Sequence, residues 1–373
     1  MKKIVAFIMV GLLAFAAIAC TAQEPAAAPA ATAPETNDAA AAPAETTAAT
    51  EEAAATSGEL SGKGIVVGLS LPTQREDIWV RHEAHIRQAC EALGATVLTQ
   101  ISDNDAAKQQ SQCENLLAQG IDVLIIGAHD ASAAANIVEM AHAEGVPVVS
   151  YDRLILNCDV DVYVSFDNVA VGECMGNWFV ENVPTGNIAV LAGDPLDNNA
   201  KLFRQGAMNI IQPKIDAGFY TLVMDQSVAD WQAENAMRLA EDCLTANNNN
   251  IVGIVAPNDS TSGGVIQALA AQGLAGKVLP TGQDFELSAL QRIYQGTQGM
   301  SVFKDTVIEG AAAAKAAIQL AQGITPSDIN GETDNGKLAV PSVLATPTAV
   351  TIDNLKDVVE MSGLYTWDQV TAK

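Results

Sequence analysis

The sequence predicts an α/β fold: two doubly wound parallel-sheet lobes joined by three crossovers, with a ligand cleft between them. Three observations lead there. From Gly64 onward, short β-rich runs alternate with longer amphipathic ones. Asp122-Val123-Leu124-Ile125-Ile126 is a near-continuous apolar run, as expected of a strand covered on both faces in a parallel sheet. The alternation then starts afresh near Ile188, so a second sheet follows the first.

In the first set, Ile65 to Leu69 reads as a strand, Asp77 to Leu93 as a helix and Ala95 to Leu98 as a strand. Asp105 to Leu117 is a helix, followed by the apolar strand and by a helix from Ser132 to Glu144 with Ser132 as its N-cap. Val146 to Val149 closes the set. In the second, Ile188 to Leu191, Thr221 to Met224, Ile251 to Val255 and Val278-Leu279 are strands. Ala200 to Ile215, Trp231 to Ala246, Ser262 to Gln272 and Leu287 to Gln295 are helices. Asp161 to Ser165, Met300 to Phe303 and Ser342 to Val350 lie where the chain crosses between lobes. The expected division is 62–163 with 303–341 in one lobe and 164–302 with 342–373 in the other. Sheets of this kind bind ligands at the C-terminal ends of their strands.

The N-terminus has a different character. Met1-Lys2-Lys3 is basic, Ile4 to Ile18 is apolar but too short to span a bilayer, and Ala17-Ile18-Ala19 is a small-residue cleavage signal. Residues 1–19 therefore read as a secretory signal peptide. Cys20 admits two readings: the lipid-carrying residue of an anchored protein, or a cysteine that happens to follow an ordinary cleavage site. Ala17 stands where lipoproteins usually carry Leu, but residues 20–61 favour the anchor. They are almost all Ala, Pro, Thr and Glu, without aromatic residues or periodicity, and read as a disordered tether.

Of 373 residues, those after 61 suffice for two ordinary domains, and 49% hydrophobic content suffices for buried sheets. A net charge of -25 excludes nucleic acid as a partner. Export permits disulfides among Cys90, Cys113, Cys158, Cys174 and Cys243, with Cys90–Cys113 the first pair to consider; most are read as small buried apolar residues.

Longer stretches carry a resemblance. They are Ser111-Gln112 with Glu114-Asn115, Tyr151-Asp152-Arg153, Ser165 to Asn168, Pro195 to Phe203, Thr245 to Asn249, Asn258-Asp259, Gly282-Gln283-Asp284 and Phe303-Lys304. In their order and spacing the chain resembles the sugar-binding proteins of ABC importers, of the type with three hinge crossovers. Among these it is most similar to xylose-binding and multi-sugar-binding proteins. The resemblance implies a monosaccharide ligand, an importer permease as partner, a monomer, no cofactor and no catalysis. It implies Trp79 and Trp231 as covers for the two faces of a sugar ring. It implies Asp152, Arg153, Asp197, Asn199, Asn258, Asp284 and Lys304 as hydrogen-bonding groups for its edges. Trp178 and Trp367 read as packing residues. The family usually has Arg directly before the first Trp and Asp three residues after it; here Ile78 and His82 stand there. Arg75 and Arg81 are the nearest replacements for the arginine.

Other readings are weaker. His82-Glu83-Ala84-His85 lacks the spacing of a zinc pair and reads as a solvated helix face. Asp103-Asn104-Asp105 reads as a turn and helix cap rather than a calcium loop. A glycoside hydrolase on this fold would need two facing carboxylates, one with a raised pKa, for which Asp152 and Asp284 are the pair to consider; Arg153 beside the first favours an ionised binding group. A sensory module using the same site is the other alternative.

Overall fold

A computed structural model describes residues 60–372 of the chain. The expected signal peptide, Cys20 and the expected tether up to residue 59 lie outside the described residues.

The first lobe is built on β1 (Val66–Leu71), α1 (Asp77–Ala92), β2 (Thr96–Ile101), α2 (Ala106–Ala118), β3 (Val123–Ile126), α3 (Ala135–Ala143), β4 (Val148–Tyr151) and β5 (Val162–Phe166). The chain then passes through α4 (Asn168–Asn182), β6 (Gly186–Ala192), α5 (Asn198–Asp216), β7 (Tyr220–Ser227) and a 3-10 turn at Ala229–Trp231. α6 (Ala233–Ala246), β8 (Gly253–Val255), α7 (Asp259–Ala271), α8 (Leu287–Tyr294) and β9 (Met300–Phe303) complete the second set. α9 (Thr306–Ala321), β10 (Gly331–Asp334) and β11 (Ala339–Ala345) return to the first sheet; β12 (Thr348–Thr351), α10 (Leu355–Ser362) and α11 (Trp367–Thr371) end the chain.

The first sheet has the order β10-β11-β5-β4-β3-β1-β2 and is parallel except at the β10 edge. Its strands alternate between two cores. Leu69 and Ile125 face α1 and α9, while Leu124 and Ile126 face α2 and α3. The second sheet is parallel, in the order β7-β6-β8, and β9 pairs antiparallel with β12 beside it. The chain leaves the first sheet after β5, returns after β9 and crosses again between β11 and β12.

Several local expectations give way. Val278-Leu279 forms no strand; the segment makes an isolated bridge from Pro280 to Ile254. Pro280 has no N–H to donate to a ladder. Ser132 does not cap α3. The Asp130 carboxylate takes the N–H groups of Ser132 and Ala133 at 2.8 and 2.9 Å, holding a turn, and the helix begins at Ala135. The helix expected from Trp231 is broken after the 3-10 turn, because Asp230 and Trp231 both take positive φ. Cys90 and Cys113 cannot pair, since they lie in cores on opposite faces of the first sheet; all five described cysteines are free. Burial pushes the Cys90 thiol up to about 12 and that of Cys113 to about 11, as suits packing residues. Leu60, expected in the tether, packs against the first core.

Candidate functional site

The loops at the C-terminal ends of the strands carry the site. Trp79 stands in the first turn of α1, directly after β1. Asp152 and Arg153 follow β4, with Asp152 at φ 56°. Asp197 caps α5, accepting from the N–H of Asn199 at 2.9 Å. Trp231 follows β7, and Asn258 caps α7 through a reciprocal bond with Thr261. Asp284, at φ 94°, precedes α8, and Lys304 follows β9. Non-glycine residues seldom hold positive φ, so the surrounding structure must over-determine these turns.

The side chains of Trp79, Asp152, Arg153, Asp197, Asn199, Trp231, Asn258, Asp284 and Lys304 line one cavity between the lobes, completed by Glu76, Ile78, His82, Phe203 and Gln283. Both indoles rest on glycine. A Cβ on Gly127 would approach the Trp79 ring to 3.1 Å, and one on Gly193 would come within 2.1 Å of the Trp231 ring. Trp231 is 8% exposed, meets Phe203 edge-on at 6.4 Å, and leaves its Nε1 without a partner.

The charges are fixed by one another. Arg153 Nε lies 2.9 Å from Asp197 Oδ2 in an ion pair, Nη1 donates to the Ala128 carbonyl at 3.3 Å, and the guanidinium lies 5.0 Å over the Trp79 ring. Lys304 Nζ is 3.5 Å from Asp152 Oδ2 and 3.3 Å from Asp284 Oδ1. The Asp152 carbonyl is held by Tyr163 Oη, Ser165 Oγ and Asn199 Nδ2 at 2.8, 2.8 and 2.9 Å. Asn258 Nδ2 reaches Asp284 Oδ2 at 3.5 Å. Burial works to raise the Asp152 carboxyl, but Lys304, His82 and Arg153 outweigh it and hold it below its ordinary value. Burial likewise opposes the charge on Lys304, yet Asp152 and Asp284 keep its pKa above the ordinary lysine value. Burial pushes Asp197 up against the pull of Arg153.

His82 is not on a solvated face. α1 turns it inward on the stripe of Ile78, Trp79, Ile86 and Cys90, and His85 is half-buried with Nδ1 2.7 Å from Thr306 Oγ1. Burial pushes the His82 imidazole down to about 3, so the ring is neutral; its Nδ1 lies 2.5 Å from Tyr151 Oη and 3.7 Å from Glu309 Oε2. Glu309 is held well above the ordinary range by burial and by the nearby charge of Asp152. His82, Asp152 and Glu309 bring potential ligand atoms within 4.8 Å of one another. Lys304 already supplies the positive charge beside Asp152, so a metal cation there would meet an ammonium.

Arg75 and Arg81 do not enter the cavity. Arg75 pairs with Glu76 and donates to the Asp230 carbonyl across the cleft. Arg81 donates to Tyr365 Oη at 2.8 Å and to the Asp284 carbonyl. With the Ala131 N–H to Leu196 carbonyl bond of 3.0 Å, these contacts close the lobes over the cavity. Sequence reasoning gave no role to four groups at or behind the wall. Phe203 lies one helical turn after Asn199 on α5 and Gln283 adjoins Asp284, so both had a signal. Glu76 lies three residues before Trp79. Glu309 had none, because only the packing of α9 against α1 brings it near.

A family model described as a periplasmic binding protein domain matches residues 67–325. A D-xylose-binding periplasmic protein of Escherichia coli is 42% identical over 303 residues, covering 81% of this chain and 92% of that protein. A multiple sugar-binding periplasmic receptor of Rhizobium radiobacter is 33% identical, covering 82% and 92%. The solved structure of a carbohydrate transporter solute-binding protein from Chloroflexus aurantiacus, in complex with D-glucose, is similar with a TM-score of 0.76 at 37% identity, covering 81% of this chain and 97% of that one.

Proposed function

From the premise that the chain belongs to the periplasmic binding protein family, we propose that it captures one neutral monosaccharide, xylose or a related pentose or hexose, and hands it to an ABC importer. The observation that carries this reading is the cavity itself. An indole from each lobe faces it, and between them stand immobilised donors and acceptors whose own partners are already in place. Flat apolar faces with ordered polar edges are what a pyranose needs. Trp79, Arg153 and Asp152 would bind from one lobe, Asp197, Asn199, Trp231, Asn258 and Asp284 from the other, and Lys304 from the crossover. Asp152 and Asp284 share one ammonium rather than one proton, which suits binding and leaves no acid–base pair for hydrolysis. The relatives named xylose-binding and multiple sugar-binding support the ligand class and a periplasmic location. Cys20 would carry the lipid that keeps the protein at the membrane.

The test is a thermal-shift and calorimetry panel of pentoses and hexoses on the purified protein. A ligand that binds only the native state raises the melting temperature with concentration. Micromolar or tighter binding of at least one aldose is expected. No shift with any neutral sugar at millimolar concentration sinks the reading.

A further inference from the structure

The cavity wall contains a carboxylate that no expectation assigned, and its surroundings give it a second task. Glu76 is 6% exposed and lines the cavity. Arg75 sends two N–H groups, Nε at 2.7 Å and Nη2 at 2.5 Å, to the same oxygen, Oε1. The other oxygen, Oε2, is buried and has no partner. A buried carboxylate oxygen left bare is costly, so the site is complete only when something donates to it. The same Nη2 of Arg75 also donates to the Asp230 carbonyl on the far side of the cleft. Asp230 precedes Trp231, and its N–H is in turn held by Asp194 Oδ2. One guanidinium therefore joins a cavity carboxylate of the first lobe to the backbone that presents the indole of the second.

We infer that Glu76 is a specificity-determining residue that accepts a hydrogen bond from the ligand through Oε2, and that Arg75 is a positioning residue that couples this contact to lobe closure. The inference rests on the sugar-binding reading above. It also narrows the ligand. Among the described residues lining the cavity, the fully enclosed side-chain atoms without a hydrogen bond are the acceptors Glu76 Oε2 and Gln283 Oε1, the donor Trp231 Nε1, and Asp152 Oδ2, which has only the Lys304 ammonium 3.5 Å away. A ligand that donates to the two bare acceptors and accepts from the indole completes them. Neutral polyols meet that pattern through their hydroxyls. A sugar acid does not, since its carboxylate would join the carboxyl side chains of Glu76, Asp152, Asp197 and Asp284, which already outnumber the cations of Arg153 and Lys304.

The experiment uses the full mature chain and the best-bound sugar of the panel. Glu76→Gln keeps the shape and offers an oxygen or an amide, but it removes the charge. It should weaken binding at least about tenfold, the usual effect of one charge-assisted hydrogen bond. Arg75→Ala should raise the dissociation rate by a similar factor. It should also lower the ligand-free melting temperature, because the buried Glu76 carboxylate then loses the guanidinium that holds Oε1, so the rate is read on the folded fraction. The double variant should lose less than the sum of the two, as for groups acting as a unit. Arg75→Lys, which can reach only one partner at a time, should fall between. Glucuronate and galacturonate should not bind the wild-type chain. If the wild-type chain binds a sugar and Glu76→Gln binds it equally well, the assignment of Glu76 is wrong while the sugar site stands. If a sugar acid binds as tightly as its parent sugar, the ligand complement is wrong. If the wild-type chain binds no sugar, both this inference and the reading beneath it fall.

Discussion

Trp231→Ala separates a ligand-stacking indole from a packing one, and the protein supplies its own control. Trp178 and Trp231 belong to the same core, are 9% and 8% exposed, and each lies over a glycine, Gly299 and Gly193. Only Trp231 lines the cavity, and only its ring is positioned by a strained turn at the cleft. Truncating an aromatic anchor in a desolvated site costs about 2 kcal/mol or more, roughly thirtyfold in Kd. Truncating a core tryptophan costs about 3–5 kcal/mol of stability. For some 310 folded residues, at about 2.1 cal/mol/K each, that is a fall in melting temperature on the order of 5–8 °C. Trp178→Ala should show that fall with a near-normal Kd in the folded fraction. Trp231→Ala should show the Kd loss with a much smaller fall in the ligand-free protein. Trp231→Phe, keeping an aromatic face but losing the bare Nε1 donor, should lie between wild type and Ala in affinity. Calorimetry for Kd and scanning fluorimetry without sugar give both readouts. If Trp231→Ala loses stability as Trp178→Ala does while its affinity is unchanged, the stacking role is refuted and that of Trp79 is weakened with it.

Lys304→Met should remove sugar binding and cost about 3–5 kcal/mol, because it leaves the buried carboxylates of Asp152 and Asp284 without their shared cation; adding Asp152→Asn should restore part of the lost melting temperature, and no recovery would argue against charge as the cause. Burial and the charge of Asp284 push the Glu286 carboxyl from 4.5 up to about 7. Its folded form thus holds a proton that the unfolded chain releases above pH 4.5. Stability is highest below that value and falls as pH rises towards 7, by up to about 3 kcal/mol at 1.36 per unit. Glu286→Gln should flatten this part of the melting-temperature profile between pH 5 and 8, and a parallel profile would sink the assignment. Cys20→Ser should move the protein out of the membrane fraction or block its processing; an unchanged membrane fraction would point to ordinary cleavage or to another anchor.

The sequence by itself determined the α/β units, the two-sheet plan and the placement of several polar residues just past strand ends, because each depends on local signals. Parallel strands buried on both faces must be apolar throughout, as Val123–Ile126 is, and polar residues that follow such strands fall at the open end of the sheet, as Asp152, Arg153 and Asn258 do. What the tertiary structure alone decided are contacts between segments distant along the chain. His82 looked solvated beside Glu83, yet the packing of α9 on α1 buries it next to Glu309, 227 positions away. Cys90 and Cys113 are near in sequence but separated by a sheet. Arg75 was a candidate for the cavity, and the closed lobes instead stretch it from Glu76 to Asp230, leaving the carboxylate rather than the guanidinium to face the ligand space. Hydrophobic period and turn chemistry act over a few residues, so a sequence displays them directly; which charge meets which across a cleft depends on how two lobes close, and no local pattern records that.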